Sequence, residues 1–100
     1  MHASQIYFLL ETQILKKLAN ISGWMTNKKQ TELSKTFSCD SFVDGLSLVA
    51  RITVHAELLQ HHPIVELSYT KVKVTLTTHD VAGLSAKDFE LAERIDRLKS

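Results

Sequence analysis

The stretch AELLQHHPIVEL, residues 56–67, sets His61 and His62 side by side directly before Pro63, the single proline of the chain, with Glu57 shortly upstream. A third histidine, His79, ends the run KVKVTLTTH, and Asp88 follows in LSAKDFE. Neutral imidazole accepts a proton and imidazolium gives one near neutral pH, so histidines gathered from a helix end and a strand suit a reaction needing both transfers. Two other readings of these residues stay open. Adjacent histidines at a helix end can donate to its free carbonyls and suit its negative pole. Glu57, His61, His62 and His79 would also supply enough ligands for a metal. Neighbouring helical positions point roughly 100° apart, however, and neither HExxH nor paired-cysteine spacing is present, so no metal site is expected. Residue types alone do not choose between proton transfer and helix capping. Asp88 can cap a helix, Lys71 and Lys73 fit a solvated strand face, and Cys39 has no neighbour that would activate it.

The whole chain bounds these readings. With 100 residues, 44% apolar and 23% charged, residues 1–100 read as one globular domain. Twelve Lys and Arg against eleven Asp and Glu give no basic field for direct nucleic-acid binding or for an anionic membrane. The apolar run IYFLL is too short for a span and meets Glu11, and the single cysteine allows no internal disulfide. A cytoplasmic protein is expected.

The elements that must position the histidines follow from periodicity. Tyr7, Leu10, Ile14, Leu18 and Ile21 recur at helical spacing ahead of Gly23, which predicts a first helix. Trp24 to about Cys39 predicts a hairpin around TNKKQ, with ELSKTF as a strand. Asp40 or Ser41 can cap a long helix that runs to His61 and His62 and is ended by Pro63. That helix carries two apolar faces: Phe42, Leu46, Val49, Ala56 and Leu59 with Thr53, and beside them Val43, Ala50, Val54 and Leu58. One face would pack on the sheet and the other against a second subunit. VELSY and KVKVTLTTH predict two alternating strands. In the second, Val72, Val74, Leu76 and Thr78 share one face, and Lys71, Lys73, Thr75, Thr77 and His79 the polar one. Ser85 and Asp88 are spaced as a capping box for a last helix burying Leu91, Ile95 and Leu98. The order α-β-β-α-β-β-α predicts an α+β fold, a four-stranded antiparallel sheet with three helices packed on one face.

AELLQHHP followed by SYTKVKVTLTTHDVAGLSAKD resembles the signature of the pterin-4a-carbinolamine dehydratases. Glu57, His61-His62-Pro63, Tyr69, His79 and Asp88 match in order and spacing, and the likeness runs from Gly23-Trp24 to the last helix. The resemblance implies removal of water from 4a-hydroxytetrahydrobiopterin to give quinonoid dihydropterin, in recycling of the cofactor of aromatic amino-acid hydroxylases. It implies a pterin substrate, no metal or organic cofactor, and a homodimer or homotetramer. His61, His62, His79 and Asp88 would be catalytic, and Glu57, His62 and Thr78 would contact substrate. His61 and His79 would protonate the leaving hydroxyl, with His62 binding pterin or removing a proton. Ile64, Thr70 and Cys39 depart from the residues usual there without touching the histidines. Some members also bind and stabilise transcription-factor dimers, and other relatives have non-enzymatic assembly roles, so a non-enzymatic binding module is the alternative.

Overall fold

A computed structural model describes residues 9–99. The alternation in KVKVTL forms the centre of the sheet: in β4 (Lys71–Leu76) Val72, Val74 and Leu76 are fully buried while Lys71 and Lys73 are exposed. On one side β4 pairs antiparallel with β2 (Leu33–Ser38), which sets Leu33 opposite Leu76 and Phe37 opposite Val72. On the other it pairs with β3 (Ile64–Ser68), Val65 facing Val74 and Leu67 facing Val72. The two-residue β1 (Met25–Thr26) extends β2, completing the order β1-β2-β4-β3. The expected hairpin and strand pair are present, and so are three helices on one face: α1 (Glu11–Leu18), α2 (Phe42–Leu59) and α3 (Ala86–Lys99). Gln13 Oε1 accepts the free Leu10 N–H at the start of α1, and Ile14 carries that helix into the core. Ile21 is buried beyond the helix end rather than on it, and Tyr7 lies outside the described residues.

Ser41, not Asp40, caps α2, its Oγ accepting the Asp44 N–H at 3.0 Å. The core-facing side of α2 differs from the expected one. Gly45, Leu48, Ile52 and Ala56 are buried, with Val49 and Leu59 half-buried beside them, whereas Phe42 and Leu46 face outward. Gly45 explains the rotation: a Cβ there would meet Leu67 Cδ1 of β3 at 2.7 Å, so the helix lies closest to the sheet where it has no side chain. Phe42, Val43, Leu46, Val54 and Leu58 are left as an exposed apolar stripe along α2.

Candidate active site

The α2 helix stops before the histidine pair and not at Pro63. Gln60 adopts the left-handed conformation (φ 51, ψ 45), its N–H reaching the Ala56 and Glu57 carbonyls, and the His61 N–H bonds to Ala56 O at 3.0 Å. This is the Schellman closure with glutamine in the place usually taken by glycine. Gln60 Nε2 also donates to Glu57 O. The last carbonyls are thus met by backbone and Gln60, and the two rings turn to carboxylates instead. His62 Nε2 lies 2.6 Å from Glu57 Oε2 in a pair whose side chains are 60% and 70% exposed. His61 turns inward, Nε2 lying 2.6 Å from Asp88 Oδ1 with side chains 9% and 0% exposed. The residue before a proline favours extended backbone, which helps to send these neighbours apart.

Asp88 does two things with one carboxylate. Its Oδ2 accepts the Ser85 N–H at 2.9 Å, which together with Ser85 Oγ accepting the Lys87 N–H starts α3 as the spacing predicted. The same Oδ2 accepts the Thr78 hydroxyl at 2.6 Å, and Thr78 Oγ1 lies 2.7 Å from Ser85 Oγ. The buried carboxylate is therefore saturated with donors, as a buried charge must be. Thr78 and Ser85 are themselves buried, so the Thr78 hydroxyl is committed inward.

His79 is not on a strand face. β4 ends at Leu76, Thr78 bridges to Gly83, and His79–Val81 form a 3-10 turn with Ala82 in the left-handed region behind it. The turn brings His79 to the rim of a cleft of about 220 Å³ lined by Gln60, His61, His62, Thr77, Thr78, His79, Asp80 and Lys87. The three histidines expected to act together thus share one cleft, from α2's end on one wall and the β4–α3 connection on the other. Asp88 lies behind His61, and Glu57 stands outside the lining, bonded to His62. The His79 ring is exposed and has no hydrogen-bond partner among the described residues. Such a cleft offers imidazole groups to a bound molecule from two directions, with one ring rigidly fixed and one free.

The family model described as Pterin 4 alpha carbinolamine dehydratase matches residues 8–98. The chain belongs to the pterin-4a-carbinolamine dehydratase family. Relatives that bear the name "Putative pterin-4-alpha-carbinolamine dehydratase" include one from Nostoc punctiforme, 36% identical over 91% of this chain and 96% of its own length. Another, from Rhodospirillum rubrum, is 40% identical over 83% of this chain and 86% of its own. Among solved structures, a transcriptional coactivator/pterin dehydratase from Brucella melitensis superposes with a TM-score of 0.89 at 26% identity, covering 93% of this chain and 99% of that one. A pterin dehydratase-like RuBisCO assembly factor of the alpha-carboxysome shares the fold, with a TM-score of 0.66 at 23% identity over 76% of this chain and 88% of its own.

Gln60, Thr77, Asp80 and Lys87 are lining residues of this pterin dehydratase family member that sequence reasoning missed, and Lys87 is the one cation among them. The available signal was its position in the first turn of α3, beside Asp88. The spacing of Ser85 signals a cap alone, and nothing in the sequence reveals that the loop returns it to Thr78.

Proposed function

We propose that residues 1–100 act as a single-domain dehydratase of the cytoplasm. The reaction is removal of water from 4a-hydroxytetrahydrobiopterin, in recycling of the tetrahydrobiopterin cofactor of aromatic amino-acid hydroxylases. The observation that carries this reading is the convergence of His61, His62 and His79 on one cleft, with His61 bonded to a buried carboxylate. The reaction needs what that cleft offers. The C4a–O bond breaks with its electron pair on oxygen, which takes a proton from an imidazolium and leaves as water. The N5–H proton passes to a neutral imidazole or to solvent, and the N5 electrons form the C4a=N5 bond. One proton enters and one leaves, so no oxidant, metal or organic cofactor is required. Catalysis by a positioned acid and base contributes about 10²–10⁴-fold.

His79, free at the rim, is suited to act as an acid toward one face of the pterin, and the fixed His61 toward the other. Glu57 orients His62 at the cleft mouth, where His62 can contact the pterin. A non-enzymatic oligomeric module, a coactivator or assembly factor, draws support from the exposed apolar stripe of α2 and from the roles named for the two solved structures. That stripe also suits a homodimer or homotetramer, in which a second copy would cover it.

Turnover of 4a-hydroxytetrahydropterin separates the two readings. The wild-type chain is expected to accelerate dehydration, and His79→Ala to lose about 10²-fold or more while folding normally. Because the 4a-hydroxyl can project to either side of the ring, His61→Ala and His79→Ala are expected to slow the two stereoisomers unequally. No acceleration by the wild-type chain would leave the binding-module reading.

A further inference from the structure

We propose that Ser85 and Thr78 are positioning residues whose hydroxyl chain determines which nitrogen of His61 reacts: Nε2 is held by Asp88, and Nδ1 is the atom offered to substrate. For its substrate clause this rests on the dehydratase reading.

The direction of every proton in the chain is set by satisfying the buried donors. Ser85 Oγ accepts the Lys87 N–H at 3.3 Å. If Thr78 gave its proton to Ser85, the Ser85 proton would have no acceptor in a residue only 2% exposed. With Ser85 donating to Thr78, the Thr78 proton goes to Asp88 Oδ2, which also receives the Ser85 N–H. Oδ2 then carries two donors and has no room for a proton of its own. Oδ1 is the oxygen left to face His61, and because a carboxyl is in general a stronger acid than an imidazolium, the proton in the 2.6 Å contact is assigned to Nε2. Among the described residues Nδ1 has no hydrogen-bond partner. In the imidazolium form Nδ1–H donates to the departing hydroxyl, and in the neutral form Nδ1 accepts a proton. In both forms one atom works. Fixing the tautomer of a reacting imidazole through its other nitrogen is an established use of a buried carboxylate. Here the carboxylate is itself held by the Thr78 hydroxyl, which Ser85 Oγ orients in turn, in two buried residues.

The test is nitrogen-15 NMR of histidine-labelled full-length chain, recorded in alkaline solution so that the rings are neutral, beside steady-state kinetics. Wild-type His61 is expected to be a single tautomer protonated at Nε2; a His61 protonated at Nδ1 overturns the proposal whatever the activity. Thr78→Val removes the donor to Oδ2 without changing side-chain shape and is expected to lower kcat tenfold or more with KM within about twofold. Thr78→Ser, which restores the hydroxyl, is expected to return most of kcat. Ser85→Ala keeps both donors to Asp88 Oδ2, the Ser85 N–H and the Thr78 hydroxyl, and is expected to give a smaller fall in kcat with His61 still a single tautomer protonated at Nε2. Unchanged kcat in folded Thr78→Val, a loss expressed in KM alone, or failure of Thr78→Ser to restore the rate would overturn it. If the wild-type chain has no turnover, the dehydratase reading fails, while the tautomer of His61 still decides the structural part.

Discussion

Trp24 Nε1 donates to both oxygens of the Asp96 carboxylate, at 3.0 and 3.2 Å, and Lys35 Nζ meets Oδ1 of the same group at 2.9 Å. Lys35 is on the core-facing side of β2, between Leu33 and Phe37, where a cation needs compensation. It obtains that from Asp96, from Ser22 O at 2.8 Å and from the Phe37 ring, whose centroid is 4.9 Å away. One carboxylate near the end of α3 therefore ties together that helix, strand β2 of the sheet and the loop after α1.

Asp96→Ala is expected to destabilise the fold by about 1–3 kcal/mol, the usual cost of stranding half-buried donors. Asp96 lies eight residues, or about 12 Å of helix, beyond Asp88, so any turnover should survive in the folded fraction. A denaturant melt unchanged from wild type would show that Lys35 and Trp24 find other partners.

His61→Ala and His62→Ala should part company in stability. Removing His61 leaves the fully buried Asp88 one donor short, and a loss of about 1–3 kcal/mol is expected. The exposed His62–Glu57 pair is worth about 0–1 kcal/mol, so His62→Ala should melt close to wild type. Equal melting temperatures for the two variants would contradict the burial difference.

A second copy is expected to cover the α2 stripe. Sedimentation at micromolar concentration should give a mass above the monomer, and Leu46→Glu or Val54→Glu should lower it, since both positions are exposed and apolar in one protomer. A wild-type chain that sediments only as monomer removes the oligomer from the account.

Exhaustive chelation should leave activity unchanged. The Nε2 atoms of His61 and His62 are each bonded to a different carboxylate, one buried and one at the surface, and do not converge on a common point. Activity lost to a chelator and restored by added zinc would contradict this.

The architecture was legible because the patterns are strong where packing is simple: the alternation of Val72, Val74 and Leu76 and the spacing of Leu91 and Ile95 appear in the structure as read. The face of α2 was not legible. Apolar residues nearly surround that helix, and the deciding residue is Gly45, whose missing side chain carries no hydrophobic signal. The stop at Gln60 was hidden for a related reason. Pro63 is the louder signal, whereas a left-handed glutamine follows from closure of the helix end and leaves no trace in composition. The alternation continues past Leu76 and so extends the strand through His79, and only the Thr78–Gly83 bridge shows where the chain has turned. The histidine cluster itself was readable from the family signature, but the inward path from His61 through Asp88 to Thr78 and Ser85 depends on contacts between segments far apart in the chain.

The double duty of Asp88 makes it a poor witness. A descendant of this chain that had given up any chemistry would still have to begin α3, and Asp88 is what receives the Ser85 N–H there. Selection for folding alone could keep the acid, and His61 with it as the partner of a buried charge. No such pressure acts on His79, whose exposed ring has no hydrogen-bond partner among the described residues. To sort working from retired copies of this fold by inspection, the loosely held histidine on the 3-10 turn is the residue to read first.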